Sequence, residues 1–452
     1  MAPVVRPPGP KNRGIVGNLP MASGDPLGVF TQWAREYGDI FYYRVFHRHI
    51  YFLNHPDLVK DVLVTNYQNF IKGEAIRFNR RIFGNGLITN EGSSWLQQRR
   101  LIQPAFHRER IDSYGNTMVA YAERMIAAWR DGEERDIHGD MMHLTLEIVA
   151  KTLFNVEIAG ERDHIAVALN TLMELSSGAR MLLPPVLRLA PTPGNLRYLQ
   201  AARRLDDIVY SLIRERRASG KIGASGKIFD DLLSTLLEAR DEADAAMPDK
   251  QLRDEVMTIL LAGHETAAVS LSWTWNLLAQ NPEVEQKLCA ELRQVLNGRS
   301  PRPSDLAELR STERVVKEAM RLYPPVWALV RNPIKDCEIG GYRVPAGASV
   351  IMSPWVMHRD PQHYDQPERF DPDRWLDERT TGAPKFTYFP FGGGPRSCIG
   401  SSFAMMEAVL VLATIAQRYK IAVVQDGPVE PLPTITLRPK HGVRALITRR
   451  EA

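Results

Sequence analysis

The segment from Asp249 to Gln280 constrains the fold more than any other part of this chain. Read as one helix it spans about 48 Å at 1.5 Å per residue. It is apolar around much of its circumference, as a helix through the centre of a large core has to be. Such a helix needs packing elements on all sides. The chain is long enough to supply them, with 452 residues, 44% hydrophobic and 24% charged, an ordinary globular composition.

The flanking sequence predicts those elements. Asp25-Pro26 opens a helix running to about Gly38, proline being favourable in a first helical turn. Residues 40–46 and 49–53 read as a hairpin-like pair of strands, and Pro56 opens a helix towards Val64. From 94 to 280 the pattern is mostly helical, broken at Pro184-Pro185, at Pro191-Thr192-Pro193-Gly194 and at 218–227. That last stretch, A-S-G-K-I-G-A-S-G-K, reads as a surface loop inside one domain, because the motifs below pair across it. Short strands over 337–353, proline-rich irregular chain to 395, a last helix over 399–419 and short closing strands complete the pattern. The expected architecture is mainly α with small β-sheets, in a single domain spanning 1–452.

Charge and cysteine usage exclude several function classes. A net charge of +4 is too mild and dispersed for nucleic-acid binding, and the 11 histidines show no metal-ligand spacing. Cys289, Cys337 and Cys398 are odd in number and far apart, which argues against a disulfide framework and a zinc site and for a reducing compartment. Cys289 and Cys337 read as small buried hydrophobes. Residues 1–20 hold no apolar run long enough for a signal peptide or a membrane span; their proline and glycine density predicts an extended lead-in. A soluble, cytoplasmic protein without a membrane anchor is expected.

Cys398 stands apart from the other two. Residues 391–400 read F-G-G-G-P-R-S-C-I-G, and the glycines permit backbone conformations and close approaches that side chains would block. A helical pattern follows Cys398 at once, so its sulfur can lie near a helix N-terminus, where the dipole favours thiolate. Phe391 can shield that sulfur from water and Arg396 can meet an anion. A buried thiolate beside an arginine, under an aromatic ring, suits an iron ligand better than a nucleophile. The decapeptide resembles the haem-binding signature F-x-x-G-x-R-x-C-x-G of cytochromes P450, with every fixed position matched. The resemblance implies the P450 fold, with haem b between the long central helix and the Cys398 loop with its following helix, and Cys398 ligating the iron.

Three further motifs follow the family's order. Glu318-Ala-Met-Arg321 places both charges on one helix face at i and i+3, and Tyr323-Pro324-Pro325 ends that helix. Pro372-Asp373-Arg374-Trp375 resembles the family's P-E-R-F element, with Asp for Glu and Trp for Phe, so Glu318, Arg321 and Arg374 are expected to form a structural network bracing the cysteine loop. Pro367-Glu368-Arg369-Phe370 matches the letters better, but its position relative to the next proline favours Arg374. Within the long helix, His264-Glu265 alone would invite a zinc-protease reading, but the second histidine position is Ala268. A helix weakened by glycine with a back-bonded threonine is the plain alternative. The stretch Ala262-Gly263-His264-Glu265-Thr266 resembles the family's A-G-x-E-T oxygen-activation motif: Ala262 beside the haem, Gly263 leaving room there, and Glu265 and Thr266 relaying protons during O2 activation. Trp95-Leu-Gln-Gln-Arg99 matches the family's W-x-x-x-R, and with Arg331 and Arg396 these residues are the implied partners of the haem carboxylates.

Substrate contacts are implied only by position, around 77–87, 181–193, 326–329 and 433–436. Phe78, Ile82, Phe83, Leu182, Leu183, Trp327, Leu329 and Ile435 can line an apolar pocket, or pack as ordinary core. The resemblance implies a monooxygenase acting on a lipophilic small molecule of fatty acid, terpenoid or steroid class. Gly84-Asn-Gly-Leu-Ile-Thr, with Trp95 and Phe106-His107, resembles groups that oxidise fatty acids and other lipids. Too few residues follow Cys398 for a fused reductase, so electrons are expected from a separate ferredoxin or flavodoxin-type donor with its reductase, NAD(P)H acting only indirectly. Arg99, Arg100, Arg108 and Arg110 form a basic patch for an acidic donor. Two other readings stay open: a peroxide-driven peroxygenase or P450-type isomerase, against which Glu265-Thr266 argues, and a non-enzymatic haem sensor or lipid-binding protein.

Overall fold

The computed structural model describes residues 6–12, 14–19, 24–158, 162–175, 192–219, 231–239, 246–376 and 382–451. The chain divides into two compact units, each built from two separate stretches: 1–78 with 318–398, and 79–317 with 399–452. The loop expected over 218–227 lies almost wholly outside the described residues, as do Leu182 and Leu183.

In the first unit a hairpin of Ile40–Val45 and Arg48–Leu53 seeds a five-stranded sheet. Its second strand pairs in parallel with Ser349–Met352, which pairs with Leu329–Pro333, which in turn pairs with Phe70–Lys72. Side chains alternate between the faces of a strand. Ile40, Tyr51 and Leu53 therefore join a core with Val59, Leu63, Met352, Phe386 and Phe389. Phe41, Tyr43 and Phe52 face the other way and meet Phe30 and Trp33 of the helix Pro26–Tyr37, with Phe41 stacked on Phe52 at 4.7 Å. The lead-in runs beside this hairpin: the Tyr42 N–H donates to Pro8 O at 2.8 Å, and a Cβ at Gly9 would lie 1.9 Å from Tyr42 O. The helix opened by Pro56 ends at Lys60 and widens into a π-helical turn, Asp61–Thr65. The strands Phe70–Lys72 and Leu329–Pro333 were not expected; the first is too short to show a period of two, and the second ends in a proline.

In the second unit Asp249–Gln280 is one continuous helix. It packs on the helices Ile137–Phe154, Pro193–Ser219 and Ser401–Ala416. Between Leu252 and Leu278 every residue is buried except Ala262, Gly263 and Thr266. Its polar residues survive burial by bonding within the helix: Ser272 and Thr274 hydroxyls donate to Ala268 O and Ser270 O at 2.7 and 2.8 Å. Trp273 Nε1 donates to Leu437 O at 2.7 Å, joining the helix to the hairpin of Pro431–Pro433 and Leu437–Pro439. A second sheet pairs Arg444–Arg449 with Glu133–Asp136 and Tyr419–Val423. Among the described residues no helix is long and apolar enough to cross a membrane.

Candidate active site

The 391–400 loop is held by its own backbone. The Cys398 N–H donates to Phe391 O at 2.9 Å, and the Ser397 N–H donates to Gly394 O at 3.0 Å. Gly394 has φ +67°, and a Cβ there would fall 1.9 Å from Leu63 O, so only glycine lets the loop press this closely on the Asp61–Thr65 turn of the same unit. The backbone side of the loop is thus spent on packing, and the Cys398 side chain is exposed. Exposure leaves it reachable by a ligand approaching from outside the loop. Cys289 and Cys337 differ: both are half-buried, and burial pushes their thiols up, which disfavours thiolate. Arg396 is half-buried in the same loop, as is Phe391, and Arg331 is buried on the strand Leu329–Pro333.

A buried charge network lies in the same unit. Glu318 and Arg321 are fully buried, and Arg321 Nε and Nη2 grip the Glu318 carboxylate at 2.9 and 2.8 Å. Arg374 Nε approaches Glu318 Oε1 at 3.3 Å, while Arg369 contributes its backbone carbonyl to Arg321 Nη2. The Trp375 indole donates to Glu318 Oε2 at 2.9 Å, so tryptophan at that position supplies a donor that phenylalanine would lack. Arg321 Nη1 also donates to His358 O and Pro367 O. His358 carries the network onward: its Nδ1 lies 3.2 Å from Arg321 O, and its Nε2 accepts the Phe389 N–H at 2.9 Å, two residues before the cysteine loop. An accepting Nε2 requires the neutral ring, and burial holds its pKa well below the usual histidine range. His358 was not foreseen, because a lone histidine in an apolar run gives no sequence signal.

In the second unit the A-G-x-E-T residues diverge around the helix. Ala262, Gly263 and Thr266 share its accessible face, and the Thr266 hydroxyl donates to Ala262 O at 2.7 Å. Glu265 is buried: Oε1 accepts from Arg438 Nε at 2.5 Å and from the Thr436 hydroxyl, while Oε2 makes no hydrogen bond among the described residues. His264 is also buried, and burial with Arg438 nearby pushes its pKa down to about 3. At Gly263 the neighbouring helix comes close. A Cβ there would lie 2.8 Å from Val149 Cγ2, so the missing side chain admits the neighbouring helix. Neither Arg438 nor Thr436 was singled out by motif.

Trp95 is buried and Arg99 half-buried on the helix Gly92–Ile102. Arg100 is exposed and Arg110 half-buried; the Arg108 side chain is outside the described residues. Of the proposed pocket residues, Ile82 and Phe83 are buried and Leu329 and Ile435 half-buried. Trp327 is half-buried and stacks on Phe30 at 6.4 Å, so part of it packs the aromatic layer. The Phe78 side chain and Leu182 are outside the described residues.

The donor set of the first unit fits a haem-thiolate group: a sulfur on a glycine-rich loop braced by backbone hydrogen bonds, with Arg396 in the same loop and Arg331 in the same unit. A mainly helical oxygenase is the class these features define. Residues 7–444 match the family model described as Cytochrome P450, and the chain belongs to that family. It is similar to cyclooctatin synthase of Streptomyces melanosporofaciens, 39% identical over 94% of this chain and 91% of the relative. Pentalenene oxygenase of Streptomyces avermitilis is 37% identical over 96% of each chain. Cyclooctat-9-en-7-ol 5-monooxygenase of S. melanosporofaciens is 38% identical over 89% of this chain and 84% of the relative. The protein is a P450 monooxygenase, and membership implies a haem cofactor, use of O2, a lipophilic substrate and an electron donor.

Proposed function

We propose that this monooxygenase oxidises a terpenoid, with the balance RH + O2 + 2 e⁻ + 2 H⁺ → ROH + H2O. The observation that carries the reading is the face of Ala262, Gly263 and Thr266, the sole accessible part of the long helix between Leu252 and Leu278. The names of the three Streptomyces relatives support the terpenoid class over fatty acids and steroids.

Cys398 would supply the sulfur ligand to the iron of haem b, Arg396, Arg331, Arg99 and Trp95 would hold its carboxylates, Phe391 would shield the sulfur, and Ala262 and Gly263 would be the small residues that leave the group room. Bound haem supplies O2 activation and oxygen insertion. Thr266 gives its own proton to Ala262 O, so its lone pairs are left to accept from water and to orient it. Glu265 Oε2 is the open oxygen of a carboxylate whose other oxygen is fixed, which suits it to pass protons from the interior. Phe83, Leu329, Trp327 and Ile435, with Phe78 and Leu182, are the proposed apolar lining. The 452 residues act as one functional domain. Electrons come from NAD(P)H through a reductase and an acidic ferredoxin or flavodoxin-type donor docking on Arg99, Arg100, Arg108 and Arg110; a reduction rate indifferent to ionic strength would count against that surface. The cytoplasm is the proposed compartment, in keeping with cysteines that form no disulfide.

The test is turnover of a panel containing pentalenene, a fatty acid and a steroid, with a ferredoxin, its reductase, NADPH and oxygen-18 gas. One oxygen-18 atom in a pentalenene product is expected. Oxidation confined to the fatty acid or the steroid contradicts the terpenoid assignment, and turnover with peroxide alone contradicts the O2-dependent mechanism.

A further inference from the structure

Three consecutive residues near the start of the long helix grip three points on one loop. Arg253 Nη1 donates to Ile82 O at 2.7 Å, the Asn85 N–H donates to Asp254 Oδ2 at 2.8 Å, and the Leu87 N–H donates to Glu255 Oε2 at 2.9 Å. Successive helical residues point about 100° apart, so the loop wraps around part of the helix rather than lying along it. Gln98 and Gln251 add side-chain donors to Asn85 O at 3.0 and 3.1 Å. The glycines admit this approach: a Cβ at Gly84 would lie 2.0 Å from the Asp254 carboxyl, and one at Gly86 would lie 2.1 Å from Thr258 Oγ1.

The arrangement is costly. Arg253, Asp254 and Glu255 are all buried, and burial pushes the Glu255 carboxyl up to about 7. Two adjacent buried carboxylates beside one arginine hold a loop less cheaply than apolar side chains would. What they provide is direction, because each hydrogen bond fixes one backbone atom. Thr258, under Gly86, precedes Ala262 by one helical turn, roughly 6 Å along the axis. The helix therefore sets the loop at a fixed distance from the accessible face.

We propose that Arg253, Asp254 and Glu255 are positioning residues that hold residues 82–87, with Phe83 and Leu87, as a rigid wall beside the Ala262–Thr266 face and thereby limit the size of ligand admitted there. This rests on the assignment of that face to the oxygen-activating side of the haem.

The test uses the haem-loaded protein and two readouts. Amide hydrogen exchange at Asn85 and Leu87 reports the loop directly, and the ratio of affinities for 4-phenylimidazole and imidazole, read from the Soret shift, reports the space beside the face. Asp254→Ala and Glu255→Ala should speed exchange at Asn85 and Leu87 respectively by about tenfold or more, the worth of one hydrogen bond to a charged acceptor. The affinity ratio should move at least severalfold, while Glu255→Gln, which keeps an acceptor oxygen for the Leu87 N–H, stays near wild type. Gly86→Ala displaces the loop without touching either carboxylate and should shift the ratio in the same direction if the alanine variants do not fold. Exchange no faster than wild type overturns the grip, and faster exchange with an unchanged ratio overturns its bearing on ligand size. A wild-type carbon-monoxide complex lacking the thiolate signature overturns the assignment of the face, yet leaves the exchange result standing.

Discussion

Arg438 Nε donates to Glu265 Oε1 at 2.5 Å, tying the strand Leu437–Pro439 to the middle of the long helix. Both side chains are buried, and the Thr436 hydroxyl reaches the same carboxylate oxygen. Removing the cation leaves a buried carboxylate without its partner. Arg438→Ala should therefore lose about 3–5 kcal/mol of stability, and Arg438→Lys less. Denaturant melts of the purified variants check this, and an Arg438→Ala midpoint equal to wild type contradicts it.

The Glu318 network predicts a ranking of three arginines. Arg321 makes two bonds to Glu318 and serves the carbonyls of His358, Pro367 and Arg369. Lysine cannot satisfy these five directions, so Arg321→Lys should cost about 3–5 kcal/mol and sharply lower haem content. Arg374→Ala removes one longer contact from a carboxylate that keeps Arg321 and Trp375, together with a bond to the exposed Asp365 carbonyl at 2.8 Å, and should cost about 1–2 kcal/mol. Arg369→Ala should be near neutral, since its carbonyl makes the contact. Haem content and thermal melts of the three variants give the order, and Arg369→Ala ranking above Arg374→Ala contradicts the assignment.

His358 predicts acid sensitivity. Its folded pKa lies well below 6.5 because of burial, whereas the unfolded chain protonates near 6.5. A depressed pKa means stability that is present above pH 6.5 and lost as pH falls towards the folded value. Below pH 6.5 this one residue should contribute a progressive loss of stability. His264 and His138, with pKa values pushed down to about 3 and about 4, act in the same direction. The comparison is therefore between wild type and His358→Gln, whose melts should fall less steeply with acid; parallel curves contradict the prediction.

Gly263 and Val149 form a packing pair. Gly263→Ala places a methyl 2.8 Å from Val149 Cγ2 and should destabilise by about 1–3 kcal/mol. Val149→Ala in the same chain should restore part of that loss, giving a favourable coupling in a double-mutant cycle. Additive losses would show that Gly263 matters for something other than this contact.

Motifs were legible where chemistry forces residue type and spacing. The cysteine decapeptide, Glu318 with Arg321, and Ala262 to Thr266 could all be read from letters, because one or two turns of local chain carry them. The long helix was equally legible, its period of 3.6 being local. Contacts made by fold-distant residues were not. Arg438 on a short closing strand, His358 after Pro354-Trp355, and the Arg253-Asp254-Glu255 grip on 82–87 each join segments whose pairing only the tertiary structure decides. Gly263 shows the intermediate case: the need for a small residue was legible, but not which neighbour required it.

The central claim is that Cys398 ligates haem iron through sulfur. Its most direct test is the carbon-monoxide difference spectrum of the dithionite-reduced protein, measured for wild type and Cys398→Ala. A strongly red-shifted Soret band in wild type, absent in the variant, is the predicted result. A wild-type protein without haem, or a histidine-like band unchanged by the substitution, would contradict the account.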